Sequence, residues 1–316
     1  MIGKKLGAGL VPWLFLSAAP PALAVPIDLS QLCGATGDCV ISSNTTIGSA
    51  SGPLTVTGNF TVSPGAVLVF QVPIQIRVNG NMVLSGTLGA PGDGGVGGTG
   101  GDAGQPGGAG GDAPSVVSGI FDVRGTITVN GNAAAEGGTG GAGGLGDTGQ
   151  LGGAGGRGGA GGSLTFNACR SFSSTSGAQI LVNGGDGGTG QNGALGGAGG
   201  AGGSIIINAM QSIVSDAILR AVGGSGGSGG GGAGADGTSG TITLQSGSDI
   251  TVGANTLNAG TNTASLNQNQ SSIDALSFCT ESWADGTEGI PTLSEWALLL
   301  LSALMAAFVV ARRRWR

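Results

Sequence analysis

The stretch GGSLTFNACRSFSSTSGAQILVNGGDGG, Gly161–Gly188, is matched further on by GGSIIINAMQSIVSDAILRAVGGSGG, Gly202–Gly227, and again by SGTITLQSGSDITVGANTLNAG, Ser239–Gly260. Each begins with a glycine-rich lead. An alternating apolar run follows, then a polar corner, then a second strand-like run. The units 163–183, 204–223 and 241–260 are 21, 20 and 20 residues long. Upstream, 53–72, 73–92 and 120–131 have the same texture. A period near 20 residues, built from β-branched alternation and Gly, Ser and Asn corners, predicts a parallel β-solenoid. About six coils are expected, with Leu164, Phe166, Ile205, Ile207, Ile242 and Leu244 pointing into one continuous core. An antiparallel sandwich of short strands is the rival architecture.

Between the strand segments lie four glycine tracts, 89–111, 137–162, 184–203 and 223–240. In the second, GGTGGAGGLGDTGQLGGAGGRGGAGG, glycine holds positions 137, 140, 143, 146, 149, 152, 155, 158 and 161 without exception. The same strict frame runs from Gly89 to Gly110 and from Gly184 to Gly202, whereas the fourth tract loses it at Ala235. Period three belongs to the polyproline-II type of helix, which has no internal hydrogen bonds and must find partners outside itself. Collagen-like trimers supply such partners but want more proline than Pro91 and Pro106 provide. Gly-Gly-X triplets instead leave two bare faces per turn for lateral bonding, as in polyglycine II. In this respect only, the tracts resemble the glycine-rich helical bundles of snow-flea-type antifreeze proteins. Each tract has a glycine-poorer midpoint: GDAGQP (101–106), GDTGQL (146–151) and GQNGAL (190–195). Asp, Asn, Gln and Pro there predict a reversal, so each tract runs out, turns and runs back, with arms of nine residues spanning roughly 28 Å. Disordered loops are the opposing reading, since glycine loses most entropy on ordering.

The ends have separate jobs. MIGKKLGAGLVPWLFLSAAPPALA carries a basic start at Lys4 and Lys5, an apolar run, and an Ala22-Leu23-Ala24 cleavage site, the pattern of a secretory signal peptide. A short membrane helix there is disfavoured by Pro20 and Pro21. At the other end the apolar run 297–311 precedes Arg312, Arg313, Arg314 and Arg316, a basic stop that stays cytoplasmic. The run falls short of the ~20 residues of a spanning helix, and reaching back to Leu293 takes in Glu295. Ile290, Pro291, Thr292, Leu293 and Trp296, in IPTLSEW ahead of an apolar segment and an arginine cluster, resemble the IPTL-type C-terminal sorting tails of Gram-negative bacteria. The usual Trp-Gly is Trp296-Ala297 here. The resemblance covers only the last 27 residues and implies an exosortase-like membrane protease as partner, with transient residence in the inner membrane. An ordinary C-terminal anchor is the alternative.

The body, 25–289, has five arginines, no lysine and sixteen acidic residues, a net charge of −11 that argues against nucleic acid or an anionic membrane as partner. The chain has no histidine, and no catalytic constellation, metal site or cofactor motif emerges. Asp122, Asp216 and Asp249 are scattered, and Arg77, Arg124 and Arg220 are expected to be solvated or paired with them. GGAGADGTS from Gly231 matches most of a calcium nonapeptide, but it does not recur in tandem and Thr238 replaces its large apolar residue. The four cysteines, Cys33, Cys39, Cys169 and Cys279, allow three pairings in an exported chain. Cys33 with Cys39 is the natural local pair, leaving Cys169 for Cys279; free buried thiols are the alternative.

The expected organisation is a signal peptide (1–24), a glycine-rich repeat β-solenoid (25–260), a polar linker or cap (261–289) and an IPTL-type sorting tail with a transmembrane helix and basic end (290–316). The expected class is all-β and non-enzymatic. It is a surface or extracellular-matrix protein of structural or adhesive type, with self-association or a polysaccharide matrix as further partners. The competing function is ligand binding by a flat glycine-rich face, to ice or polysaccharide, with Thr99, Thr139 and Thr189 as sparse support.

Overall fold

The computed structural model describes residues 27–28, 31–33, 37–90, 92–101, 105–253, 257–258, 265–267 and 277–280. The signal peptide and the sorting tail, with its motif residues and arginines, lie outside them, as does most of the expected linker.

Three parallel sheets account for the strands. One complete turn shows how. Ser163–Ala168 lies on one face, Phe172–Ser174 on the next and Gln179–Leu181 on the last, before the chain returns to the first face at Ser204–Ala209. The three sheets hold seven, seven and eight strands, every pair of neighbours parallel. This is the stacked architecture of a β-solenoid, and the antiparallel sandwich is excluded for the described residues. Six complete turns are stacked, as expected, with partial turns at either end. A partial one, Cys39–Ile41 and Thr45–Ser49, lies N-terminal to the first repeat legible in the sequence. Its Ser- and Thr-rich stretches mask the alternation.

Alternation decides which side chains enter. Ser163–Ala168 and Ser204–Ala209 bury every second residue. Because strands stack in register, buried residues form columns: Ile76, Phe121, Phe166, Ile207 and Leu244 on one face, and Phe60, Met82, Ile127, Phe172 and Ile213 on another. The Phe121 and Phe166 rings stack at 5.2 Å. Each such side chain contributes about 1.5–3 kcal/mol through burial, and all six core residues expected from sequence are buried.

One corner is held by side chains that bond to the turn above. Asp38 Oδ1 accepts from the Asn59 amide at 2.7 Å, Asn59 Oδ1 from the Asn81 amide at 2.9 Å, and Asn81 Oδ1 from the Thr126 amide at 2.9 Å. The chain passes so close there that a Cβ on Gly80 would stand 2.6 Å from Asn59 Oδ1.

Both cysteine pairs form: Cys33–Cys39 six residues apart, and Cys169–Cys279 across 110 residues. The second fastens the short helix Ser277–Thr280, whose Phe278 is buried, to the corner after Ser163–Ala168. Among the described residues no helix is long and apolar enough to cross a membrane, and the expected membrane segment lies outside them.

Candidate functional surface

All four glycine tracts leave the solenoid at the same corner. They depart after Thr87–Gly89, Asn132–Ala134, Gln179–Leu181 and Ile218–Arg220, and re-enter at Gly119, Ser163, Ser204 and Thr241. The two turns before them close this corner with a few residues. Strand stacking therefore brings tract onto tract.

Each tract runs out and back, as its midpoint predicts. The Gln150 amide donates to Asp147 O at 2.8 Å, Ala194 to Gln191 O at 2.9 Å, and Gly232 to Gly229 O at 3.0 Å, closing the reversals of tracts two to four. Positive φ at Gly149, Asn192, Gly193 and Gly232 falls at these tips, where glycine and asparagine tolerate it. The midpoint of tract one lies partly outside the described residues.

The arms bond laterally in three directions. Within tract two, the amides of Gly153, Gly156 and Gly159 donate to Gly144, Gly141 and Gly138, each at 2.8 Å. Toward tract three, the outgoing Gly140 and Gly143 donate to Asp186 and Thr189, and the returning Gly155 and Gly158 to Leu195 and Ala198. Toward tract one, Gly141 and Gly144 donate to Gly111 and Gly108. The bonds that a period-three helix cannot make within itself are thus made with its neighbours. The result is a two-layered slab of outgoing and returning arms.

The slab dictates the triplets. A Cβ on the outgoing Gly140 would overlap Gly156 O of its own return arm, and one on Gly141 would overlap Val96 O of the preceding tract. On the return arm, Gly155 meets Gly188 O of the following tract and Gly156 meets Gly111 O of the preceding one. The third position points away from the slab. Thr139, Ala142 and Leu145 are exposed on one side, Leu151, Ala154 and Arg157 on the other. Gly-Gly-X is therefore a packing rule, two buried contacts and one free face. Two aspartates also reach across between tracts: Asp112 Oδ1 accepts from the Arg157 amide at 2.7 Å, and Asp186 Oδ1 from the Ser225 amide at 2.8 Å.

Where slab meets solenoid there is an open groove of about 360 Å³, crossed by Ser118, Ser163, Ser204 and Thr241. Thr241 Oγ1 donates to Ser204 Oγ at 3.1 Å, and the Ser163 amide to Ser118 Oγ at 3.2 Å. On the outer side of the same sheet, Asp122 is buried and accepts from Gln75 Nε2 and Asn167 Nδ2, each at 2.7 Å, while Asn208 Nδ2 donates to Asn167 Oδ1 at 2.8 Å. Asp122, scattered in the sequence, is thus part of a polar ladder in the fold; its partners could be recognised only by knowing the strand register. Among the described residues no three His, Cys, Asp or Glu side chains gather as a metal site requires. The calcium-like GGAGADGTS places its Asp236 Oδ1 on the Gly226 amide at 2.8 Å.

Residues 289–314 match the IPTL-CTERM motif. The chain therefore carries the C-terminal sorting signal of exported proteins, one that implies processing by an exosortase-type system. No curated protein and no solved structure matches the chain.

Proposed function

We propose that this is a non-enzymatic structural protein of the cell surface or extracellular matrix, delivered by its C-terminal signal. The solenoid is its shaft and the polyglycine-II-like slab its exposed fin. The observation that carries this reading is the lateral bonding of all four tracts into one body continuous with the strands. Such a body is stiff without an apolar core, because its order comes from backbone hydrogen bonds and close approach. It also resists proteases, which need an extended segment with unengaged backbone.

The test is deletion of 290–316 in the producing bacterium, followed by fractionation and attachment assays. The intact protein is expected in surface or extracellular material and to contribute to attachment or matrix cohesion. Full attachment and cohesion in a null strain would refute the structural role.

A second reading, a flat face for ice or a polysaccharide, draws on the returning arms, where Ala154, Ala160, Ala198 and Ala201 recur at triplet spacing. Leu151, Arg157 and Leu195 interrupt that face. Thermal hysteresis in the purified protein would favour it over the structural role.

A further inference from the structure

Glycine is kept where an arm meets a neighbour and is lost at the two ends of the slab. In tracts two to four the second position of the outgoing triplets is glycine, and a Cβ on Gly138, Gly141 or Gly144 would overlap the carbonyl of Asp93, Val96 or Thr99 in tract one. In tract one, with no tract before it, those same second positions are Asp93, Val96 and Thr99, and all three are exposed, Val96 at 80%. The opposite end mirrors this. In tracts two and three the first position of the returning triplets faces the next tract: Gly155 and Gly158 meet Gly188 O and Gly185 O, Gly196 and Gly199 meet Gly227 O and Gly224 O. In tract four the corresponding positions are Ala233 and Asp236, both exposed, followed by Ser239. Ala235 itself takes the outward place of Ala198, since Gly199 donates to its carbonyl as Gly158 does to that of Ala198; the lost frame is a one-residue slip at the reversal, and the substitutions at the edge are Ala233 and Asp236.

Asp236 does more than occupy space. The amides of Gly95, Gly140 and Gly187 donate to carbonyls of the following tract, those of Thr139, Asp186 and Ser225. Their counterpart in the last tract is Gly226, and its amide donates to the Asp236 carboxylate. A side chain stands in for the missing fifth tract.

We infer that these residues close the slab against edge-to-edge association with a second copy of the chain. A bare edge would offer amides and carbonyls at the spacing of a lattice that is already formed, the hazard of any unpaired edge. Solenoid turns continue beyond both ends of the slab. A second copy can therefore reach an edge only with its own body on the far side and its arms antiparallel. Antiparallel arms already bond within each hairpin, as Gly156 to Gly141 does, so only side chains stand in the way.

The test is sedimentation velocity on the exported protein, parent against Asp93→Gly/Val96→Gly/Thr99→Gly. The variant is expected to shift from monomer to dimer, with the amides of 93, 96 and 99 slowing in hydrogen exchange at least tenfold. Thr139→Gly/Ala142→Gly/Leu145→Gly, on an outward face, should sediment as the parent does. Asp236→Gly probes the other end, where the Gly226 amide of the monomer should exchange at least tenfold faster. A first-edge variant that stays monomeric while Gly141 and Gly156 remain protected would overturn the inference. So would a parent already associated through residues 93, 96 and 99, or a Gly226 amide indifferent to loss of Asp236.

Discussion

Gly155 and Gly188 lie so close that a single methyl group on the first would overlap the carbonyl oxygen of the second. Its neighbour Ala154 points to solvent. Gly155→Val is therefore expected to destabilise by about 1–3 kcal/mol through overpacking, lowering the melting temperature by roughly 2–4 °C per kcal/mol, and to raise protease cleavage within 137–162. Ala154→Val should stay within about 0.5 kcal/mol of the parent. Thermal melts and limited proteolysis of the pair check this; two silent substitutions would mean that the tracts do not pack.

Amide exchange reads the slab directly. Gly141, Gly144, Gly156 and Gly159 donate within the array and should exchange far more slowly than a random coil. Val96 and Thr99, whose amides donate to no partner among the described residues, should exchange fast. Uniformly fast exchange across all six would contradict the lateral bonding.

Joining Cys169 to Cys279 closes a loop spanning 110 residues. Replacing both by serine is expected to cost about 4–5 kcal/mol in the chain-entropy model, and to free the segment around Phe278 before any strand turn melts. Peptide mapping without reduction, then melting of the double variant, checks both parts; a free thiol at either position rules the bridge out.

Asp122 accepts from Gln75 and Asn167 while almost fully buried. Asp122→Ala strands both amides and should destabilise by about 1–3 kcal/mol. Asp122→Asn, which keeps one acceptor, should lose less. Denaturant titration of the two variants distinguishes this from a solvated acid, whose removal would be nearly neutral.

The strand period, the core columns through Phe166 and Ile207, and the out-and-back course of the tracts were legible in the sequence. Each is a local pattern repeated at a fixed interval. The partial turn at residues 39–49 was not, because its Thr-rich strand 45–49 shows weak alternation. Nor was the role of Asp122, whose partners stand 47 and 45 residues away and meet it only through register. The slip of frame in the fourth tract was visible as an irregularity, but the sense of Ala233 and Asp236 came only once the last tract was seen to have no neighbour.

Contacts between successive turns link residues 45 apart at Ser118 and Ser163, 41 apart at Ser174 and Ser215, and 37 apart at Ser204 and Thr241. The strands stay paired throughout and the corner from Ser174 to Gln179 is only two residues longer than that from Ser215 to Ile218, so the arms and tips absorb most of the difference, and the slab tapers toward its last hairpin. For the gene, this separates two kinds of change. Replication slippage among glycine codons trims or extends how far a hairpin projects, while the coding segments for the shaft keep their alignment. The outline of the molecule can thus be redrawn by mutation many times over without its foundation being disturbed.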